Sequence, residues 1–174
     1  MSHGPRIVLF TGKGKGKTTA ALGMVLRAVG HGMRTLVIQF CKGNSETGEL
    51  AALANLPGAK IRQVGLGWVP EESDSEFADH RSAARTGLEE AKEALRDDWD
   101  MVVLDEVCYA VRRGLLAEDD LLSTVRLAGP ASVVVLTGRG ASERLVDLAD
   151  TVTEMRCVKH GRNAGRDAQP GVEF

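Results

Sequence analysis

The sequence predicts an α/β fold with three layers, in which helices cover both faces of a mostly parallel sheet. Apolar segments of strand length alternate with segments of helical periodicity along the chain. The runs at 102–104 and 133–136 are continuously apolar, as in strands buried on both faces. A glycine-rich turn joins the first strand to the first helix, where a P-loop is found. We therefore expect residues 1–174 to form a single P-loop nucleotide-binding domain.

The individual elements follow from the same patterns. The predicted strands are 7–10, 35–40, 60–64, 101–104, 132–136 and 151–155. The predicted helices are 20–29, 49–55, 77–95, 115–127 and 142–148, with Ser142 as an N-cap. In such sheets ligands bind beyond the carboxyl ends of the strands, so the functional residues are expected there.

Composition excludes several classes of function. The chain of 174 residues is 43% hydrophobic and 26% charged, as in an ordinary globular protein with a substantial core. A net charge of −2 does not favour nucleic-acid binding. The cysteines (Cys41, Cys108 and Cys157) form no CxxC pair, and we expect reduced, buried thiols. No signal peptide or membrane-spanning run is visible, so we expect a cytoplasmic protein without a membrane partner.

The glycine-rich turn carries the chemistry of a phosphate-binding loop. Its candidate binding residues are Gly12, Lys13, Gly14, Lys15, Gly16, Lys17, Thr18 and Thr19. Glycines allow backbone N–H groups to approach phosphate oxygens, and the following helix adds its positive dipole end. The Lys17 ammonium can lie between phosphates, and the Thr18 hydroxyl can bind Mg²⁺. Thr11 occupies the position of the usual first glycine, which predicts a slightly different loop shape.

Acidic residues follow the fourth predicted strand, at Asp105 and Glu106. A carboxylate there can hold Mg²⁺ opposite Thr18, directly or through water. Glu106 can instead orient a water molecule for hydrolysis, and the pair can simply cap a helix. The sequence leaves these roles open.

Three further strand ends carry candidate ligands. Arg139 follows the fifth strand and can contact a phosphate oxygen, or form a surface ion pair. Lys42 follows the second strand and adds a cation, unless it is a solvated loop residue. Trp68 lies in a glycine-containing loop after the third strand, where it can bind a ligand or pack on the sheet. The basic segment 157–174 is expected to be a disordered tail or a lid that closes on an anionic ligand.

Several sequence blocks, in order, resemble the P-loop type of ATP:corrinoid adenosyltransferase, which acts on cob(I)yrinic acid a,c-diamide or cob(I)alamin. The most specific are the alternating Gly-Lys loop at 11–23 and the closing Gln169-Pro170-Gly171-Val172-Glu173-Phe174. Weaker blocks are 39–43, 65–68, 103–106, 136–139, 149–155, 159–160 and Gly165. The resemblance extends over almost the whole chain.

The resemblance implies a RecA-like fold, usually a homodimer, that transfers the 5′-deoxyadenosyl group of ATP to Co(I) of a corrinoid. Triphosphate leaves, and ATP is held in reverse relative to P-loop hydrolases. It further implies that Lys17, Thr18, Glu106 and Arg139 act in catalysis, that Mg²⁺ is bound by Thr18, Glu106 and Asp105, and that a reductase or flavoprotein supplies electrons. Lys42 and the P-loop would bind the nucleotide, and Trp68 the corrinoid.

The chain departs from the family pattern around the corrinoid. The loop after the third strand usually has two aromatic residues; here Trp68 keeps the first and Pro70 replaces the second. Cys108 stands where Asn or Thr is common, and Arg162 where the tail often has an aromatic residue. Two other functions therefore stay open: a P-loop ATPase or kinase that uses the γ-phosphate, and a carrier that binds nucleotide or corrinoid without turnover.

Overall fold

A computed structural model describes residues 4–43, 47–129 and 132–173. Its strands are β1 (Arg6–Thr11), β2 (Thr35–Gln39), β3 (Ala59–Gln63), β4 (Met101–Asp105), β5 (Val133–Thr137) and β6 (Thr151–Glu154). Its helices are α1 (Lys17–Gly30), α2 (Gly48–Ala54), α3 (Phe77–Arg96), α4 (Val107–Arg112), α5 (Glu118–Val125) and α6 (Glu143–Leu148), and a 3-10 helix covers Gly161–Ala164.

The strands form one sheet in the order β3-β2-β4-β5-β1-β6, and every recorded pairing is parallel. The central strands β4 and β5 are buried almost throughout, which confirms the interpretation of their continuous apolar runs. Because all strands run the same way, the ends of β1, β2, β4 and β5 meet at one edge. The P-loop, Asp105 and Thr137 are therefore brought together by the topology alone.

Helices cover both faces of the sheet, which confirms the three-layer α/β fold. On one face, Val8, Val37, Val103 and Val135 pack with residues of α1 and α2. On the other face, alternate residues of the same strands pack with α3, α4, α5 and α6. This alternation reflects the two-residue repeat of strand side chains.

The predicted strands agree with the observed ones to within one residue at each end. Three differences concern the helices. Helix α1 begins at Lys17, whereas the prediction began it at Ala20. The sequence analysis missed α4, and it began the helix after it at Leu115, whereas α5 begins at Glu118. Leu115 and Leu116 are instead buried in the turn between the two helices. The Ser142 side chain accepts a hydrogen bond from Leu145 N, which confirms the predicted N-cap of α6.

The cysteines differ in their surroundings. Cys108 is buried and Cys41 half-buried, and burial raises the pKa of each thiol to about 12. Cys157 is exposed, so the expectation of a buried thiol is wrong there. Within the described ranges, no helix combines the length and the apolar character needed to cross a membrane.

Candidate active site

The P-loop joins β1 to α1 and is supported from behind by the segment after β6. Gly16 is the N-cap of α1 with a φ of 116°, a conformation that favours glycine. Gly14 N donates a 2.6 Å hydrogen bond to Met155 O. A Cβ on Gly12, whose φ is 97°, would lie 2.8 Å from Met155 N. Gly12 and Gly14 therefore allow close packing against the chain after β6, in addition to any role in binding phosphate.

Lys17 lies at the start of α1 and is only 5% exposed. Its Nζ donates a 2.6 Å hydrogen bond to Gly14 O, across the loop. Burial lowers the pKa of the ammonium group, and the negative charge of Glu106 opposes this effect. The lysine is thus held inside the loop, where it lines the cavity over the P-loop.

The Asp105 carboxylate is the centre of the polar contacts at the sheet edge. Its Oδ1 accepts hydrogen bonds from Thr18 Oγ1 at 2.8 Å and from Thr137 Oγ1 at 2.7 Å. Its Oδ2 accepts a bond from Gln39 Nε2 at 3.1 Å. Asp105 is 1% exposed and therefore has little contact with water. The three donors supply the hydrogen bonds that water gives to an exposed carboxylate.

Glu106 follows Asp105 and has a φ of 60°, the one positive φ recorded for a residue other than glycine in the described chain. This left-handed conformation is costly for a residue with a Cβ and is often found at functional sites. Burial raises the pKa of Glu106, as does the neighbouring Asp105 charge, while Lys17 opposes the increase. Glu106 N donates a 2.8 Å bond to Thr137 Oγ1, which anchors the turn.

Lys42 forms an ion pair with Glu49, at the start of α2. Gln39 Nε2 also donates to Glu49 Oε1 at 3.3 Å. Burial is the largest single influence and raises the pKa of Glu49, but the hydrogen bonds and charge of its neighbours, Lys42 foremost, together leave the pKa below its usual value. Gln39 therefore bridges two carboxylates, Asp105 at the P-loop and Glu49 beside Lys42. The sequence analysis did not find Gln39 or Glu49 as site residues, because only their contacts across the sheet reveal them.

A cavity of about 510 Å³ opens over the P-loop. Its lining includes predicted site residues from several elements: Gly14, Lys15, Gly16, Lys17, Thr18, Thr19, Lys42, Glu106 and Arg139. Gly12, Lys13, Trp68 and Asp105 do not line it; Lys13 is exposed and Asp105 lies beneath Thr18. The cavity thus joins the P-loop cations to Arg139 and to the Lys42–Glu49 pair.

Part of segment 157–174 lies at the mouth of this cavity. His160, Gly171, Val172 and Glu173 contribute to its lining. A second cavity, of about 950 Å³, lies between the same segment and Lys15 and includes Lys159, Arg162 and Arg166. Its described residues, 157–173, are exposed apart from His160, so few contacts hold them in place.

The donor atoms near Thr18 fit Mg²⁺. One hydroxyl and two neighbouring carboxylates supply oxygen, the ligand that Mg²⁺ prefers, and Mg²⁺ commonly takes one or two protein ligands together with phosphates and water. Across 4–43, 47–129 and 132–173, no group of three or more His, Cys, Asp or Glu residues is arranged to hold a metal ion by itself. This arrangement suits an ion that arrives with a nucleotide.

Comparison with known proteins agrees with this geometry. The model of the family described as ATP:corrinoid adenosyltransferase BtuR/CobO/CobP matches residues 3–174. A corrinoid adenosyltransferase of Pseudomonas aeruginosa is 40% identical over 172 residues, covering 97% of this chain and 83% of its own. One from Salmonella typhimurium is 41% identical over 169 residues, covering 97% and 85%. The chain therefore belongs to the ATP:corrinoid adenosyltransferase family.

Proposed function

We propose that the protein transfers the 5′-deoxyadenosyl group of ATP to the Co(I) centre of a corrinoid and releases triphosphate. The observation that carries the proposal is the convergence of Lys17, Thr18 and Arg139 on one P-loop cavity in a chain of this family. Those groups suit the binding of a triphosphate. The part of the proposal that the protein binds a corrinoid as well as ATP is based on its membership of this family.

The reaction is a nucleophilic displacement at C5′ of ATP. Cobalt provides an electron pair and forms the Co–C5′ bond, changing formally from Co(I) to Co(III). The C5′–O bond breaks, and its electron pair leaves on the triphosphate oxygen. Co(I) is already a strong nucleophile, so no side chain has to remove a proton.

The side chains of this chain stabilise the leaving group and orient the reactants. Lys17, Lys15 and Arg139 line the cavity where negative charge accumulates on the triphosphate. Asp105 holds the Thr18 hydroxyl in place through a 2.8 Å hydrogen bond. We propose that Thr18, with Asp105 and Glu106, holds Mg²⁺, which supplies further charge stabilisation when bound. Orientation of C5′ towards cobalt can contribute about 7–11 kcal/mol.

We propose that Trp68 contacts the corrinoid. Its indole is 87% exposed on the loop after β3, and the preceding loop residues 65–67 pack against Gly43, the residue after Lys42. A homodimer, a cytoplasmic location and a reductase or flavoprotein partner that supplies electrons are further parts of this proposal and rest on the resemblance.

An anaerobic assay with Mg-ATP and reduced cob(I)alamin tests the proposed function. A light-sensitive adenosylcorrinoid, formed together with one equivalent of triphosphate, is the expected result. Diphosphate and orthophosphate without a cobalt–carbon product would instead indicate an ATPase or kinase. ATP and corrinoid binding with no product would indicate a carrier.

A further inference from the structure

The loop after β3 displays Trp68 while the residues beside it are held in place. Trp68 is 87% exposed, whereas Val69, the next residue, is 3% exposed and packs in the core. A large aromatic side chain in solvent beside a buried neighbour indicates a loop with a defined backbone position.

The first part of the loop is held by backbone packing against the loop after β2. A Cβ on Gly65 would lie 2.5 Å from Phe40 O, and one on Gly43 would lie 2.8 Å from Gly65 O. The two loops therefore touch through backbone atoms, and glycine is required at both positions. This contact places residues 65–67 against Gly43, whose neighbour Lys42 lines the cavity over the P-loop.

The second part of the loop is held by one side chain, Arg113. Its Nη2 donates a 2.6 Å hydrogen bond to Pro70 O, and its Nη1 donates a 3.3 Å bond to Val69 O. The guanidinium also lies 3.6 Å from Glu71 Oε1. Three consecutive loop residues thus contact a single arginine, whose planar set of donors suits this task better than a lysine.

Arg113 is in turn fixed to α4. It is the C-cap of that helix, its Nη1 donates a 3.0 Å bond to Tyr109 Oη, and its guanidinium lies over the Tyr109 ring at 5.9 Å. The N-cap of the same short helix is Glu106. One rigid helix therefore links the loop that carries Trp68 to the acidic edge of the nucleotide cavity.

We propose that Arg113 is a positioning residue for corrinoid binding, which holds loop residues 69–71 on α4 so that Trp68 meets the corrinoid from a fixed backbone. The inference rests on the proposed function. A loop that is ordered before binding loses less conformational entropy when the ligand binds. The contacts of Arg113 are also compatible with Pro70, which has no backbone N–H. The guanidinium donates to the carbonyl oxygens of Val69 and Pro70, so no N–H from Pro70 is required.

The test uses the full chain with Trp99→Phe, so that Trp68 is the sole tryptophan. Hydroxocobalamin is titrated against Trp68 fluorescence, and Trp68 anisotropy is measured without ligand. Arg113→Ala is expected to raise the Kd for hydroxocobalamin about tenfold, because hydrogen bonds from a charged group are lost. It should also lower the anisotropy and leave the KM for ATP unchanged.

Two further variants make the test specific. Arg113→Lys keeps the charge but not the paired donors. Its Kd for hydroxocobalamin and its Trp68 anisotropy are expected to lie between those of the wild-type and Arg113→Ala proteins. It also replaces Arg113→Ala if that variant does not fold. Arg85 is an exposed arginine within α3, and Arg85→Ala is the matched control. It should leave the Kd for hydroxocobalamin and the Trp68 anisotropy unchanged.

The outcomes separate the inference from the proposed function. If hydroxocobalamin fails to quench Trp68 in the Trp99→Phe protein, and no adenosylcorrinoid forms, the proposed function fails. If that protein binds and reacts, but both Arg113 variants keep its Kd and its Trp68 anisotropy, the positioning role of Arg113 is overturned. The role would also be overturned if the Arg113 variants raised the KM for ATP by the same factor as the Kd for hydroxocobalamin. The effect of the substitution would then not be confined to corrinoid binding.

Discussion

The Thr18 hydroxyl donates a 2.8 Å hydrogen bond to Asp105 Oδ1, which joins the first turn of α1 to the end of β4. These residues are distant in sequence, and β4 is separated from β1 by β5. Thr137, at the end of β5, donates to the same oxygen. The three side chains thus connect α1 with the ends of the neighbouring strands β4 and β5 below the P-loop.

Removal of the Thr18 hydroxyl is expected to lower activity. Thr18→Ala should reduce kcat by about 10²-fold, the usual effect of deleting one group that stabilises developing charge. Thr18→Ser keeps the hydroxyl and should retain most of the activity. Initial rates of adenosylcorrinoid formation over a range of Mg²⁺ concentrations provide the measurement. Equal rates for the alanine and serine variants would contradict the role of the hydroxyl.

Replacement of Gln39 should affect both stability and Mg²⁺ dependence. Gln39→Met keeps the shape but removes the amide that donates to Asp105 and Glu49, so each carboxylate loses one donor. We expect a loss of about 1–3 kcal/mol in the free energy of unfolding, measured in urea, and a higher Mg²⁺ requirement.

Gln63→Met provides the matched comparison. Gln63 donates to Gln39 Oε1 at 3.0 Å and contacts neither carboxylate in the recorded bonds. Its replacement should leave the Mg²⁺ requirement close to that of wild type. If Gln63→Met raised the Mg²⁺ requirement as much as Gln39→Met, the cause would be a general loosening of the sheet edge and not the loss of a donor to Asp105.

Glu106 predicts a specific pH dependence of stability. Its pKa is raised in the folded protein, so the folded state holds this proton more tightly than the unfolded state. Stability relative to Glu106→Gln should therefore decrease as pH rises from below the usual pKa of 4.5 through the raised folded value. Urea unfolding of both proteins between about pH 4 and pH 8 measures this difference. If the stability of the wild type relative to Glu106→Gln instead increased as the pH rose, the buried, negatively charged surroundings assigned to Glu106 would be contradicted.

Two glycines of the same region should respond in opposite ways to alanine. Gly12→Ala places a Cβ against Met155 at a φ of 97° and should disturb the P-loop, with loss of stability and of ATP affinity. Gly23, within α1, has open space around it, and Gly23→Ala should stabilise the protein by about 0.5–1 kcal/mol. Thermal unfolding and ATP titration check both variants; a neutral Gly12→Ala would show that the loop does not need this close packing.

Trp68→Ala should separate corrinoid use from nucleotide binding. The side chain is 87% exposed, so its removal should change the free energy of unfolding by no more than about 0.5 kcal/mol. The KM for the corrinoid should rise, while the Kd for ATP, measured by calorimetry, stays unchanged. A parallel loss of ATP affinity would refute the assignment of Trp68 to the corrinoid.

Local patterns predicted most of the secondary structure. Apolar segments of strand length and the glycine-rich turn identified all six strands and the P-loop. Helix α4 was missed because it is short and follows β4 after a single residue, Glu106, in the left-handed conformation. The sequence left open that the acidic pair caps a helix, but Glu106 is the N-cap of α4 without a hydrogen bond from its side chain to the helix.

The interactions of the site depend on contacts that no local pattern contains. Gln39 looks like the end of an apolar strand, and only the pairing of β2 with β4 places its amide on Asp105. Lys42 was predicted as a cation near the phosphate or as a solvated loop residue, and its ion pair with Glu49 was not predicted. Arg113 reaches the loop at 69–71 across more than forty residues. Residue types at the strand ends were predictable, whereas their partners required the fold.

The central claim is that C5′, and not the γ-phosphate, is the reacting centre of ATP. A single-turnover experiment with cob(I)alamin and an ATP analogue that carries a β,γ-imido bridge tests it most directly. Adenosyl transfer leaves the β–γ linkage intact, so the adenosylcorrinoid should form together with imidotriphosphate. If the analogue binds but gives no adenosylcorrinoid, while ATP yields orthophosphate, the reaction takes place at the γ-phosphate and the account is wrong.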